Sequence, residues 1–66
     1  MSERFDHCLV DAEEQGFSLV ELNGLVAILE HPKGRTQTWY LEEHGGVLYV
    51  ARARSGRHEL PGPNHL

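Results

Sequence analysis

Apolar residues near the start of the chain recur with a helical period. They stand at positions i, i+3, i+4 and i+7, a spacing that lines one face of an amphipathic helix. Ser2 is a suitable N-cap and Gly16 a suitable residue just beyond the C-terminus. The pattern therefore predicts a helix over residues 3–14. Its apolar face comprises Phe5, Cys8, Leu9 and Ala12.

The other face of the predicted helix is strongly acidic. Negative side chains in the first turn also interact favourably with the helix dipole. A dense acidic face can dock in a basic groove, so it is the first candidate partner-binding surface. Its residues are Glu3, Asp6, Asp11, Glu13 and Glu14.

Beyond Gly16 the pattern changes to short apolar runs separated by turn residues. Asn23-Gly24 predicts a type I′ hairpin turn. His31-Pro32-Lys33-Gly34 predicts a second turn, and Glu42–Gly46 a third. The predicted strands between these signals are Phe17–Leu22, Leu25–Glu30, Arg35–Leu41 and Val47–Arg54.

These elements predict an α+β fold, with one N-terminal helix packed on a three- to four-stranded antiparallel β-meander. Residues 1–56 are expected to form a single domain. Residues 57–66 contain two prolines and no period, and are expected to be an extended or flexible C-terminal tail. The sheet residues expected beneath the helix are Leu19, Ala27, Leu29, Trp39, Leu41, Tyr49 and Val50.

Two aromatic residues stand next to each other in the third predicted strand. Strand alternation sends Trp39 and Tyr40 to opposite faces, so one ring should join the core and the other should be exposed. Exposed aromatic rings near arginines are typical interface anchors. This sheet face is the second candidate partner-binding surface. Its residues are Arg35, Trp39, Tyr40, Tyr49, Arg52, Arg54 and Arg57.

Composition narrows the class of protein. A chain of 66 residues has room for one small domain, which buries roughly 60% of the surface that its unfolded chain exposes. The 39% hydrophobic content is too high for a disordered chain. One cysteine excludes an intramolecular disulfide, and the chain has neither a signal-peptide pattern nor a membrane-spanning apolar run. The expected compartment is the cytoplasm.

The net charge of −4 is unevenly distributed. Residues 1–32 carry seven acidic and one basic residue, a net of −6. Residues 33–66 carry five basic and three acidic residues, a net of +2. Because nucleic-acid affinity comes mainly from accumulated positive charge, this balance argues against a dedicated nucleic-acid binder.

No local pattern points to catalysis or to a metal. The five histidines and Cys8 lack the close pairing that zinc sites use. Cys8 lies on the apolar helix face beside acids, which disfavour a reactive thiolate. Phosphate-binding glycine loops and the nucleophile-elbow motif are absent from the sequence. We therefore expect no cofactor, no metal and no enzymatic activity.

One segment resembles a known family. Gly16-Phe17-Ser18-Leu19-Val20, then Gly24, then Ile28 to Gly34, is similar to the strand–turn–strand segment of HicA-type toxins. The resemblance covers residues 16–34 and implies a fold like that of double-stranded-RNA-binding domains. The catalytic histidine of that family follows its second glycine, where this chain has Leu25, Val26 and Ala27. The resemblance therefore implies RNA binding without ribonuclease activity.

The leading hypothesis is a small non-enzymatic binding protein. It would act stoichiometrically, as a regulator or inhibitor, by docking on a larger protein or nucleoprotein. Small inhibitors from viruses or mobile elements share this size and charge. One alternative is a degenerate HicA-like RNA-binding domain that uses the basic strand residues. Another is a homodimeric structural module whose edge strands or exposed sheet faces pair.

Overall fold

The computed structural model describes residues 2–57. Within them, one helix packs on one face of a five-stranded antiparallel sheet, which confirms the predicted α+β class. The strands lie side by side in the order β1-β5-β4-β3-β2. The elements are β1 (Glu3–Arg4), α1 (Phe5–Glu14), β2 (Ser18–Asn23), β3 (Val26–Glu30), β4 (Arg35–His44) and β5 (Val47–Arg57).

The helix begins two residues later than the apolar period predicts. Glu3 and Arg4 are extended and pair with Val50 and Tyr49, so they form a short edge strand. Arg4 is the N-cap residue, and its side chain makes no capping hydrogen bond; in the first turn, Oδ1 of Asp6 accepts the N–H of His7 at 2.8 Å. The backbone N–H and C=O groups of Glu3 and Arg4 form hydrogen bonds with β5 and not within the helix, so the sheet has a fifth strand here.

The end of α1 agrees with the sequence. Gly16 has a φ of +97°, and its N–H donates to the carbonyl of Glu13. The N–H of Phe17 donates to the carbonyl of Ala12, which completes a Schellman motif. This reversal directs Phe17, only 7% exposed, into the core beside Ala12.

Two hairpin turns differ from the prediction: the first is shifted by one residue along the chain, and the third is shorter. Asn23 pairs with Val26, so the turn residues are Gly24 and Leu25 rather than Asn23 and Gly24. Only Gly24 has positive φ, as a type II′ turn requires. The third turn consists of Gly45 and Gly46 alone, both with positive φ, because Glu42–His44 continue β4.

The core lies between α1 and the middle of the sheet. Leu29 is fully buried, and Trp39 donates its indole N–H to Gln37 while its ring meets the Phe5 ring edge-on at 5.9 Å. Of the expected sheet partners, Tyr49 alone faces away from the helix, because it pairs with Glu42 on the opposite side. The buried residues are Ala12, Phe17, Ala27, Leu29, Trp39 and Leu41.

A β-bulge in β5 sets the direction of its arginines. Leu41 pairs with Val50 and Tyr40 pairs with Arg52, so Ala51 is an extra residue without a partner. Before the bulge, even-numbered residues such as Val50 pack against the core. After it, Arg52 and Arg54 lie on the other side. A regular strand would have placed all of them on one face.

Strand β5 continues three residues beyond its predicted end. Arg57 pairs with Arg35 at the start of β4, so the first residue of the predicted 57–66 tail belongs to the sheet. The remainder of that predicted tail, 58–66, lies outside the described residues.

Candidate binding surface

The sheet surface opposite α1 is the main candidate site, and we call it the open face. Its side chains come from alternate positions of β3, β4 and β5, because strand geometry sends every second residue to the same side. Within residues 2–57 the only helix lies on the other side. The open face is centred on Val26, Ile28, Thr36, Thr38, Tyr40, Arg52 and Arg54.

Tyr40 and Arg52 form a stacked pair at the centre of the open face. They are direct cross-strand partners, and the Arg52 guanidinium carbon lies 4.7 Å from the centroid of the Tyr40 ring. On its other side Tyr40 pairs with half-buried Val26. A planar cation over an aromatic face is attracted by the ring quadrupole. The pair therefore presents a partly ordered aromatic and cationic surface.

None of the open-face arginines forms an ion pair in the described part of the chain. The only ion pairs within residues 2–57 join Arg4 to Asp6 and His44 to Glu42, each at 3.0 Å. Glu21 lies in the same cross-strand row as Arg54, but three strands away, or about 14 Å at normal strand spacing. The open-face arginines therefore make no direct ion pair, and the open-face carboxylate diagonal to Arg52, that of Glu42, is bonded to His44.

The structure divides the seven predicted sheet-face residues between two surfaces. Tyr40, Tyr49, Arg52 and Arg54 lie on the open face, because each pairs in register with an open-face residue. Trp39 is 5% exposed and belongs to the core, in agreement with strand alternation. Two further predicted residues, Arg35 and Arg57, pair with each other on the helix side of the sheet.

Arg35 belongs to a cluster that the sequence did not indicate. Its guanidinium lies 5.8 Å from the Phe17 ring centroid and 3.3 Å from Nε2 of His31. The His31 ring meets Phe17 edge-on at 5.1 Å, and its Nδ1 accepts a hydrogen bond from the Lys33 N–H. The sequence places His31 only in a predicted turn. Its position before a proline gave no signal that it would close the end of the core.

The acidic residues remain exposed but do not all lie on the helix. Glu3 is in β1, whereas Asp6, Asp11, Glu13 and Glu14 are spread over the solvent side of α1. The hydrogen bond from Arg4 lowers the pKa of Asp6. Part of the predicted acidic surface is therefore already paired with a base.

Cys8 has the character that the sequence predicts. Its side chain is partly buried against the core, and its Sγ lies 3.8 Å from Oε2 of Glu3. Burial raises the pKa of the Cys8 thiol, and the negative charge of Glu3 raises it further. Such a thiol is mostly protonated near neutral pH and is a poor nucleophile.

Neither a membrane span nor a metal cluster is found in residues 2–57. Their one helix has ten residues, which is too short to cross a bilayer. Across the same residues, no three histidine, cysteine or acidic side chains come together as a metal site would require.

Within residues 2–57, the fold is that of a small α+β protein with one sheet surface that no helix covers. No family model, curated protein or solved structure significantly matches this chain. The C-terminal helix of HicA-type toxins has no counterpart in Arg52–Arg57, which is strand. The function is therefore argued from the surface itself.

Proposed function

We propose that this chain is a non-enzymatic binding protein that docks its open face on a larger protein or nucleoprotein and acts stoichiometrically as a regulator or inhibitor. The observation that carries the proposal is the Tyr40–Arg52 stack at the centre of an uncovered sheet face. Tyrosine and arginine are enriched among the residues that dominate interface energies. A pair that is already stacked loses less side-chain entropy on binding than two mobile side chains.

The size of the open face limits the affinity that it can supply. Three strands at normal spacing are about 14 Å wide, and the five residues of β3 extend about 17 Å, so the projected area is roughly 240 Å². A standard interface buries about 800 Å² on each partner. The open face alone therefore supports a weak or transient complex, and a tighter complex needs adjoining surface.

The proposed compartment is the cytoplasm. A chain with a single cysteine has no intramolecular disulfide that would depend on an oxidising environment.

Charge reversal tests which surface binds. The full-length protein is used to capture partners from a lysate of its source, beside Arg52→Glu/Arg54→Glu and Glu13→Lys/Glu14→Lys. The two double variants change the net charge by equal amounts in opposite directions. We expect the arginine variant to lose a specific partner at one-to-one stoichiometry and the glutamate variant to retain it. If neither variant alters the captured set, both candidate surfaces are wrong.

RNA binding is the second candidate function, since aromatic rings and arginines on a sheet face can stack and neutralise single-stranded nucleic acid. The Tyr40–Arg52 pair favours it, whereas the net charge of −4 opposes it. A salt titration with an RNA oligonucleotide separates the two. RNA binding requires micromolar affinity that falls steeply with salt and with Tyr40→Ala. The homodimer alternative predicts a dimer in sedimentation.

A further inference from the structure

Within residues 2–57, one edge of the sheet is left unpaired over half of its length. Strand β1 covers β5 only at Tyr49 and Val50, and the bulge at Ala51 follows directly. The next six residues, Arg52–Arg57, pair regularly with β4 on their inner side and are all exposed. We call their outer side the free edge. Every second residue of an antiparallel strand directs its N–H and C=O away from its neighbour, so this edge presents unpaired backbone groups.

The free edge is also the most basic part of the structure. Arg52, Arg54 and Arg57 lie along it, and Arg57 is directly opposite Arg35 in the ladder. Like charges in direct cross-strand pairs destabilise a sheet. None of these arginines has a carboxylate within salt-bridge distance in residues 2–57.

The charge selects the strand that the free edge can accept. A second copy pairing through the same residues would place arginines opposite or diagonal to arginines in any antiparallel register, because Ala51–Arg57 contains no acidic residue. A strand with carboxylates at alternate positions would instead neutralise Arg52 and Arg54 on the open face. Strand addition to an exposed edge obtains affinity from main-chain hydrogen bonds and specificity from alternate side chains.

We propose that the free edge of β5 is a strand-addition site that takes an extended acidic segment of a partner protein as a further strand, in line with β1. This proposal rests on the proposed binding function and specifies the chemistry of the partner. Six residues in antiparallel pairing add about six main-chain hydrogen bonds. The added strand also widens the contact area beyond the open face, which is too small for a tight complex by itself.

The test uses the full-length protein and a synthetic peptide of about seven residues that alternates glutamate with valine and threonine. NMR titration of the ¹⁵N-labelled protein follows the backbone amides. We expect shift changes and slowed amide exchange at residues 51–57, with small changes on α1. Two peptides serve as controls: one has lysine in place of glutamate, and one keeps every glutamate but carries N-methyl groups on alternate amides. Both are expected to bind far more weakly.

Two matched variants separate strand pairing from general attraction. Arg54→Glu and Lys33→Glu each change the net charge by the same amount, but Lys33 lies in a turn. We expect Arg54→Glu to weaken peptide binding about fivefold or more, because an attractive cross-strand pair becomes repulsive. Lys33→Glu should weaken it by less than about twofold, as expected for an exposed charge outside the pairing. Arg54→Gln, which adds no repulsion, should give an intermediate loss.

Several results would overturn the proposal. Strand addition is wrong if the N-methylated peptide binds as tightly as the unmodified one, or if Arg54→Glu and Lys33→Glu weaken binding equally. It is also wrong if the chemical-shift changes are confined to the open face or α1. Binding of RNA at the free edge in preference to the peptide would likewise contradict it. A protein that sediments as a dimer and does not bind the peptide would assign the edge to a second copy. Peptide failure with continued arginine-dependent capture of a partner would refute strand addition alone. Loss of both would refute the binding function as well.

Discussion

Truncation of Leu29 tests how much of the stability depends on the core beneath α1. Leu29 is the largest fully buried side chain, at 0% exposure, and lies in the cluster that joins the helix to β3 and β4. Leu29→Ala should lower the free energy of unfolding by about 2–5 kcal/mol, the range for a buried leucine that leaves a cavity. Leu25, in the first hairpin turn, is 48% exposed and provides a matched control with the same chemical change.

This loss is a large fraction of the total free energy of unfolding expected for the protein. A chain of 66 residues is expected to have a free energy of unfolding of roughly 3–10 kcal/mol. Leu29→Ala therefore removes between about a fifth and all of this total. At the low end of the total stability the variant is unfolded at room temperature. Leu25→Ala should cost less than about 1 kcal/mol, because its side chain is already half in water and no enclosed cavity remains.

Urea titration followed by tryptophan fluorescence measures both variants. Trp39 is the only tryptophan and is 5% exposed in the core, so unfolding moves its indole ring into water. Far-UV circular dichroism should report the same midpoint if unfolding is two-state. The described core would be refuted by a Leu29→Ala loss below about 1 kcal/mol, or by an equal loss for Leu25→Ala.

Three further outcomes follow from the backbone and from Cys8. Gly16→Ala should lower the free energy of unfolding by about 2 kcal/mol or more in urea titration, because the residue has φ +97° and the new Cβ would lie 2.7 Å from a histidine ring. Gly45→Ala, with φ +61° and open space around it, should cost about 1 kcal/mol; equal costs would contradict the close approach. Deletion of Ala51 should leave a cooperatively folded protein whose free energy of unfolding is within about 1 kcal/mol of wild type. The reason is that β4 and β5 then pair without a bulge and every other residue of β5 keeps its face. Loss of the cooperative transition would show that the fold needs the bulge. The alkylation rate of Cys8 should rise with pH through a midpoint above that of a free thiol, because the raised pKa keeps the thiol protonated to higher pH. Glu3→Gln should lower this midpoint. An unchanged midpoint would show that Glu3 does not contribute to the raised pKa of Cys8.

Much of the fold could be predicted because its signals are local. The apolar period of α1 and the glycine after it are properties of neighbouring residues, and they located the helix end within one residue. The opposite directions of Trp39 and Tyr40 follow from strand alternation alone. The segments expected as strands are strands, since their turn residues and apolar runs stand close together in the chain.

The surfaces were harder to predict because they depend on pairing between distant residues. β1 forms only because β5 offers an edge to Glu3 and Arg4. The sequence of β5 reads as a regular alternation, and nothing in it locates the bulge at Ala51. If β5 alternated regularly along its whole length, its core residues and its arginines would lie on the same face.

Local patterns along the chain specify the class of the elements, their order and the polar or apolar character of the helix and strand faces. The sequence also sets the acidic first half and the basic second half of the chain. The position of Arg52 over Tyr40 and, within residues 2–57, the unpaired edge of β5 after Val50 follow instead from how distant segments pair in the folded chain. The physical reason is that strand register and edge coverage are set by contacts between segments, and a shift of one residue reverses the face of every side chain that follows.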